Sequence, residues 1–201
     1  MYKRQPEVGA EFTALPLDHL LYTGSGNIAK KVVANAAKNL VPTTLELGGK
    51  SPTIIASDAN LELVAKRIMF VKTLNAGQIC LSPDYIMIKK GLEQKLIEEL
   101  KKVFSTFYPE NNAADYTSMV NDHHHDRMQE YLLDAKNKGA DVINLGDFDS
   151  SEKNTITTKV LLNVNDDMRV MQEEIFGPLL PIMVYEDCLL YTSPSPRDPH
   201  L

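Results

Sequence analysis

Apolar residues recur at helical spacing in four stretches of this chain, and apolar runs of strand length fill the intervals between them. That alternation predicts an α/β fold. The first helical stretch follows Tyr22-Thr23-Gly24-Ser25 and places Ile28, Val32, Val33, Ala36, Ala37 and Leu40 on one face, with Ser25 as N-cap and Pro42 as the stop. The second carries Leu61, Val64, Ala65, Ile68 and Met69, begins near Asp58 or Asn60 and stops before Asn75-Ala76-Gly77. The third runs through Leu92, Leu96, Ile97, Leu100, Val103, Phe104 and Phe107 to Pro109. The fourth extends from about Asp122 to Lys138 through Met128, Tyr131, Leu132 and Ala135, with Gly139 as a C-terminal cap. Strands are predicted at 43–47, 52–56, 84–88, 142–144, 157–164 and 180–185. The first two, separated by Gly48-Gly49, read as framing a tight turn. From Cys188 onward, prolines at every second or third position break the pattern, and residues 188–201 read as a disordered tail.

Composition narrows the class. A chain of 201 residues, 43% hydrophobic and 24% charged, fits one domain or one plus part of another. Mean hydropathy is −0.22, and no apolar run approaches the roughly 18 residues of a spanning helix, which excludes an integral helical membrane protein. The basic pair near the N-terminus has no apolar stretch after it, so no secretory signal is expected and the cytoplasm is the expected compartment. Cys80 and Cys188 are too few for a disulfide framework, and both are expected to be reduced. With 27 acidic against 21 basic residues and a net charge of −6, a phosphate backbone is repelled, so no nucleic-acid partner is expected.

Several positions carry possible chemistry. Cys80 stands in Asn75-Ala76-Gly77-Gln78-Ile79-Cys80, where small residues leave a thiol reachable, although its local context alone favours an inert small hydrophobe over a catalytic thiol. Glu46 interrupts an apolar run expected to be buried; it reads either as a general base with a shifted pKa or as an edge-strand carboxylate paired with Lys50. Gly24-Ser25 opens a helix and can face an anion, or serve simply as a capped turn. Glu173-Glu174-Ile175-Phe176-Gly177-Pro178 joins two carboxylates, an aromatic and a Gly-Pro turn, a poor design for a plain surface loop. His123-His124-His125 reads as solvated helix surface, because adjacent helical side chains diverge by about 100° and do not chelate one ion. No metal site is expected.

Four segments, Tyr22-Thr23-Gly24-Ser25, Glu46-Leu47-Gly48-Gly49-Lys50-Ser51-Pro52, Gly77-Gln78-Ile79-Cys80 and Glu173 to Pro178, resemble the aldehyde dehydrogenase superfamily and occur in its order. Cys80-Leu81-Ser82-Pro83-Asp84-Tyr85 together with 115–121 looks most like the coniferyl aldehyde dehydrogenase branch. The resemblance covers about residues 7–187. It implies the last part of a Rossmann-type cofactor domain over residues 1–46 and an incomplete catalytic domain over 47–187. It also implies that Cys80 is the nucleophile, passing through a thiohemiacetal and a thioester, and that Glu46 activates the hydrolytic water. The cofactor is then NAD or NADP and the substrate a small aldehyde. Glu174 would hold the nicotinamide ribose and Phe176 would pack beside that ring. Gly24 and Ser25 would face the pyrophosphate, and Leu47 and Gly48 would offer backbone groups near the carboxamide.

The sequence departs from the family in three places. Ala29 stands where a second glycine is common, the family's Pro-Trp-Asn segment and adenosine-ribose lysine are not found, and the tail replaces an oligomerisation strand. The expectation is a fragment of an enzyme that is a homo-oligomer at full length. By itself this chain is expected to lack NAD-dependent turnover and to expose the apolar face of its first helix. Two other readings remain: a non-catalytic remnant or interaction module, and a thioester-forming acyl transferase, against which Glu46 argues.

Overall fold

The computed structural model describes residues 6–109, 115–148 and 153–186, and these fall into two compact units that divide between Gly49 and Lys50. The tail from Cys188 lies outside the described residues.

In the first unit, helix α1 (Pro6–Phe12) precedes strand β1 (Leu20–Gly24), helix α2 (Gly26–Ala36) and strand β2 (Thr43–Leu47). Parallel strands need a crossover, and α2 supplies it: β1 and β2 pair in parallel with Leu20 opposite Thr43 and Gly24 opposite Leu47. Leu20, Val32, Ala36 and Val41 form the core of this unit. Asn35 Nδ2 donates to Ala10 O and Thr13 Oγ1, and Asn39 Nδ2 to Ala14 O at 2.7 Å, tying α1 and the residues after it to α2 and the turn that follows α2.

The buried stripe of α2 is narrower than the expected face. Ala29, Val32 and Ala36 are buried, whereas Ile28, Val33 and Leu40 are exposed, Leu40 by 90%. A sheet of two strands covers only a narrow stripe of a helix. Pro42 does not stop the helix either. A 3₁₀ turn over Ala37–Asn39 ends at Leu40, whose left-handed φ of 57° turns the chain away two residues earlier.

The second unit is a five-stranded sheet in the order β3-β4-β7-β6-β5. Its strands are β3 (Pro52–Ile55), β4 (Tyr85–Lys89), β5 (Asp141–Asn144), β6 (Lys159–Leu162) and β7 (Leu179–Tyr185). β5 alone among them runs antiparallel to its neighbour. The expected turn between 43–47 and 52–56 is therefore not a hairpin, because β2 pairs with β1 in one sheet and β3 with β4 in the other.

Helices α3 (Leu61–Thr73) and α4 (Glu93–Phe107) share one core with Ile86, Ile88, Val160, Leu180 and Ile182. Helix α5 (Asp122–Asn137) shares another with Leu161, Leu179 and the short helix α6 (Arg169–Gln172). Alternate residues of β6 and β7 thus face opposite cores, the arrangement of a parallel sheet covered on both sides. Asn60 caps α3 by accepting from Leu63 N at 3.0 Å, and Asn121 caps α5 by accepting from His124 N at 2.9 Å. Gly139, at φ 95°, follows the end of α5.

Candidate active site

β4 and β7 are paired neighbours, so the segments that lead into them end side by side. The segment before β4 carries Cys80, and the segment before β7 is Glu173 to Pro178. After α3 the chain turns through Leu74–Gly77, where Asn75, Ala76 and Gly77 take φ of 54°, 53° and 72° in succession. Ala76 is the one among these for which the left-handed region is clearly unfavourable, since Asn and Gly adopt it readily. Asn75 Nδ2 donates to Gln78 O at 3.1 Å, and Gln78 Nε2 returns the bond to Asn75 O at 2.9 Å. Beyond this knot Cys80 is a free, exposed thiol.

Gln78 also reaches across to the chain before α5. Its amide donates to Ser118 O at 3.2 Å and accepts from Val120 N at 3.0 Å. The result is a cleft of about 400 Å³ lined by Asn75, Gln78, Thr117, Ser118, Met119, Val120 and Phe176. A larger depression of about 630 Å³ lies between α3 and α4, lined by Lys66, Arg67, Phe70, Val71, Val103, Thr106 and Phe107. It is almost wholly apolar and holds none of the candidate residues, whereas the smaller cleft is lined by Phe176 among them and by Asn75 and Gln78 of the loop that leads to Cys80.

Polar side chains fix the segment before β7 from several sides. Asp84, buried at the entry of β4, accepts from Ile175 N at 2.8 Å and from Lys50 Nζ. Lys50 Nζ also donates to Val170 O and Glu173 O. Arg127 donates to Glu174 O at 3.1 Å and to Ile175 O at 2.9 Å. The Glu173 carboxylate accepts from Tyr131 OH at 2.9 Å and Arg169 Nε at 3.1 Å. Partial burial pushes its pKa up, but these partners and their charges prevail and hold it below the ordinary value. The two glutamates are thus separated by role: Glu173 locks the segment, while the half-buried Glu174 is placed through its backbone. Phe176, at φ 48°, is left on the cleft wall.

In the first unit the Ser25 hydroxyl caps α2 by accepting from Ile28 N at 3.5 Å. Thr23 is registered with Glu46 and Gly24 with Leu47, so Gly24, Ser25, Glu46, Leu47 and Gly48 gather at the carboxyl end of the β1–β2 pair. That is where open α/β sheets bind ligands. Two expectations about Glu46 are corrected. β2 is not a buried strand, since Leu45, Glu46 and Leu47 are all exposed. Lys50 is not its partner, because Asp84 holds that ammonium.

His124 and His125 are half-buried rather than solvated, and burial together with the Arg127 and His123 charges lowers the His124 pKa. Among the described residues no three His, Cys, Asp or Glu side chains are grouped to hold a metal ion, and no helix is long and apolar enough to cross a membrane. The sequence alone did not single out Lys50, Gln78, Asp84, Arg127 and Tyr131 as site-building residues. Arg127 and Tyr131 carried a weak signal, one helical turn apart.

The family model described as "Aldehyde dehydrogenase family" matches residues 2–189. The chain is 44% identical over 195 residues to a probable coniferyl aldehyde dehydrogenase of Pseudomonas aeruginosa, covering 95% of this chain and 40% of that protein. It is 45% identical over 186 residues to the coniferyl aldehyde dehydrogenase of a Pseudomonas species, covering 90% of this chain and 39% of that protein. Among solved structures, substrate-bound Staphylococcus aureus AldH superposes with a TM-score of 0.83 at 38% identity, over 92% of this chain and 40% of that one. Betaine aldehyde dehydrogenase of the same organism, in complex with NAD+, gives 0.77 at 26% identity, over 90% and 37%. The chain therefore spans about two-fifths of the length of these relatives.

Proposed function

The chain belongs to the aldehyde dehydrogenase family, and from that premise we propose that its residues are the thiol-bearing part of an NAD(P)+-dependent enzyme that oxidises an aromatic, coniferyl-type aldehyde to the carboxylate. The observation that carries this reading is the meeting of the exposed Cys80 loop and the braced Glu173–Pro178 segment at one cleft. In this reading residues 1–46 close a Rossmann-type cofactor domain and residues 47–187 belong to the catalytic domain.

The residues present fit a dinucleotide. Gly24 and the Ser25-capped α2 offer amides at a strand end, Leu47 and Gly48 offer exposed backbone, and Glu174 and Phe176 stand on a rigid segment beside the cleft. Bound NAD(P)+ supplies the hydride acceptor. Cys80 supplies the covalent step: its thiolate adds to the aldehyde carbon, and after oxidation the same sulfur carries the acyl group as a thioester. Glu46 takes a proton from the water that attacks this thioester, releasing carboxylate and free thiolate.

The test is a chimera in which this chain replaces the matching segment of the Pseudomonas aeruginosa relative. Coniferyl aldehyde-dependent NADH formation that disappears in Cys80→Ala is the expected result. An active Cys80→Ala chimera, or a Cys80 that iodoacetamide alkylates no faster than an ordinary thiol, favours the non-catalytic remnant instead.

A further inference from the structure

Lys72 is a lysine with 1% of its surface exposed, in the last turn of α3. Its ammonium donates to Pro83 O at 2.8 Å. Those two residues are the feet of the segment that carries Cys80. The bonds of Gln78 to Asn75, Ser118 and Val120 fix the near half of the segment, but beyond them Cys80 and Leu81 are exposed and Ser82 Oγ is buried without a hydrogen-bond partner among the described residues.

A buried ammonium is also an inefficient way to stabilise a core, where a methionine of similar shape fills the space without the desolvation cost. Burial holds the Lys72 pKa down to about 8. Asp84, at the entry of β4, opposes that shift and Lys50, ahead of β3, adds to it.

We propose that Lys72 is a positioning residue for Cys80: its ammonium closes the base of the cysteine loop by holding Pro83 O, and so fixes where the thiol stands relative to the cleft. This rests on the reading of Cys80 as the nucleophile. Lys72 touches no reacting atom. Its effect passes through the loop that it closes at Pro83 O.

Amide hydrogen exchange of the 201-residue protein, followed by mass spectrometry from pH 6.5 to 9.5, tests the tie. Lys72→Met is expected to speed exchange in residues 74–83 at least about tenfold at pH 7 while leaving residues 93–107 unchanged. Opening of the loop hydrates the amine and returns it toward its ordinary 10.5, so in the unmodified protein protection of 74–83, corrected for intrinsic rates, rises in a step that begins near pH 8. The step is absent in Lys72→Met. Unchanged exchange in the variant overturns the proposal, as does a step that persists in it, and the unmodified protein's own pH profile decides the matter even if the variant does not fold. Iodoacetamide labelling in parallel keeps the two readings apart. Slow, ordinary alkylation of Cys80 refutes the dehydrogenase reading, whereas the exchange data alone decide whether Lys72 ties the loop.

Discussion

Gly77 lies against the carbonyl of Gly177 so closely that a Cβ on Gly77 would stand 2.5 Å from that oxygen. These glycines are a hundred positions apart, one in the turn before Cys80 and the other in the segment that carries Glu174 and Phe176. Their backbone contact, with Gly77 at φ 72°, brings the two segments to one cleft. No side chain fits between them.

Gly77→Ala is therefore expected to cost roughly 2–4 kcal/mol, from left-handed strain plus a backbone clash. Gly139→Ala, at φ 95° in open space, carries the strain alone and is expected to cost roughly 1 kcal/mol. Urea unfolding of the two variants measures both. Equal losses would reject the packing argument.

Stability is expected to rise with pH above about 8 because of Lys72. Its ordinary value is 10.5, and the folded protein holds it at about 8. Below pH 8 both states are protonated and the fold bears the full cost of the buried charge. Between 8 and 10.5 the unfolded chain binds the extra proton, so raising the pH favours the native state. Unfolding midpoints across this window should climb in the unmodified protein and climb less in Lys72→Met.

Arg127→Met removes the donors that hold the carbonyls of Glu174 and Ile175. The expected stability loss is about 1–3 kcal/mol. In the active chimera KM for NAD+ is expected to rise roughly tenfold with kcat little changed, because Glu174 is misplaced while Cys80 is not. A fall in kcat at constant KM would contradict that division of roles.

Glu46→Gln in the same chimera is expected to slow steady-state turnover by roughly 10²–10⁴ while sparing the first burst of NADH, since the thioester forms but is not hydrolysed. Rapid-mixing absorbance resolves the two phases. Loss of the burst would assign Glu46 to thiol activation as well.

The sequence determined by itself what depends on neighbours a few residues away. The cores of α3, α4 and α5 follow from apolar spacing, and Ser25 caps its helix as the local pattern requires. The reachable Cys80 loop was legible in its small residues and glycine. Tertiary structure alone decided partners. It sent β2 and β3, separated only by the four residues 48–51, to different sheets, gave Lys50 to Asp84 rather than to Glu46, and left Ile28, Val33 and Leu40 outside the core that their spacing implied. The reason is physical: periodicity and capping are set by bonds within one helical turn, whereas a strand's neighbour or an ammonium's acceptor is chosen among groups that meet only when distant segments close on one another.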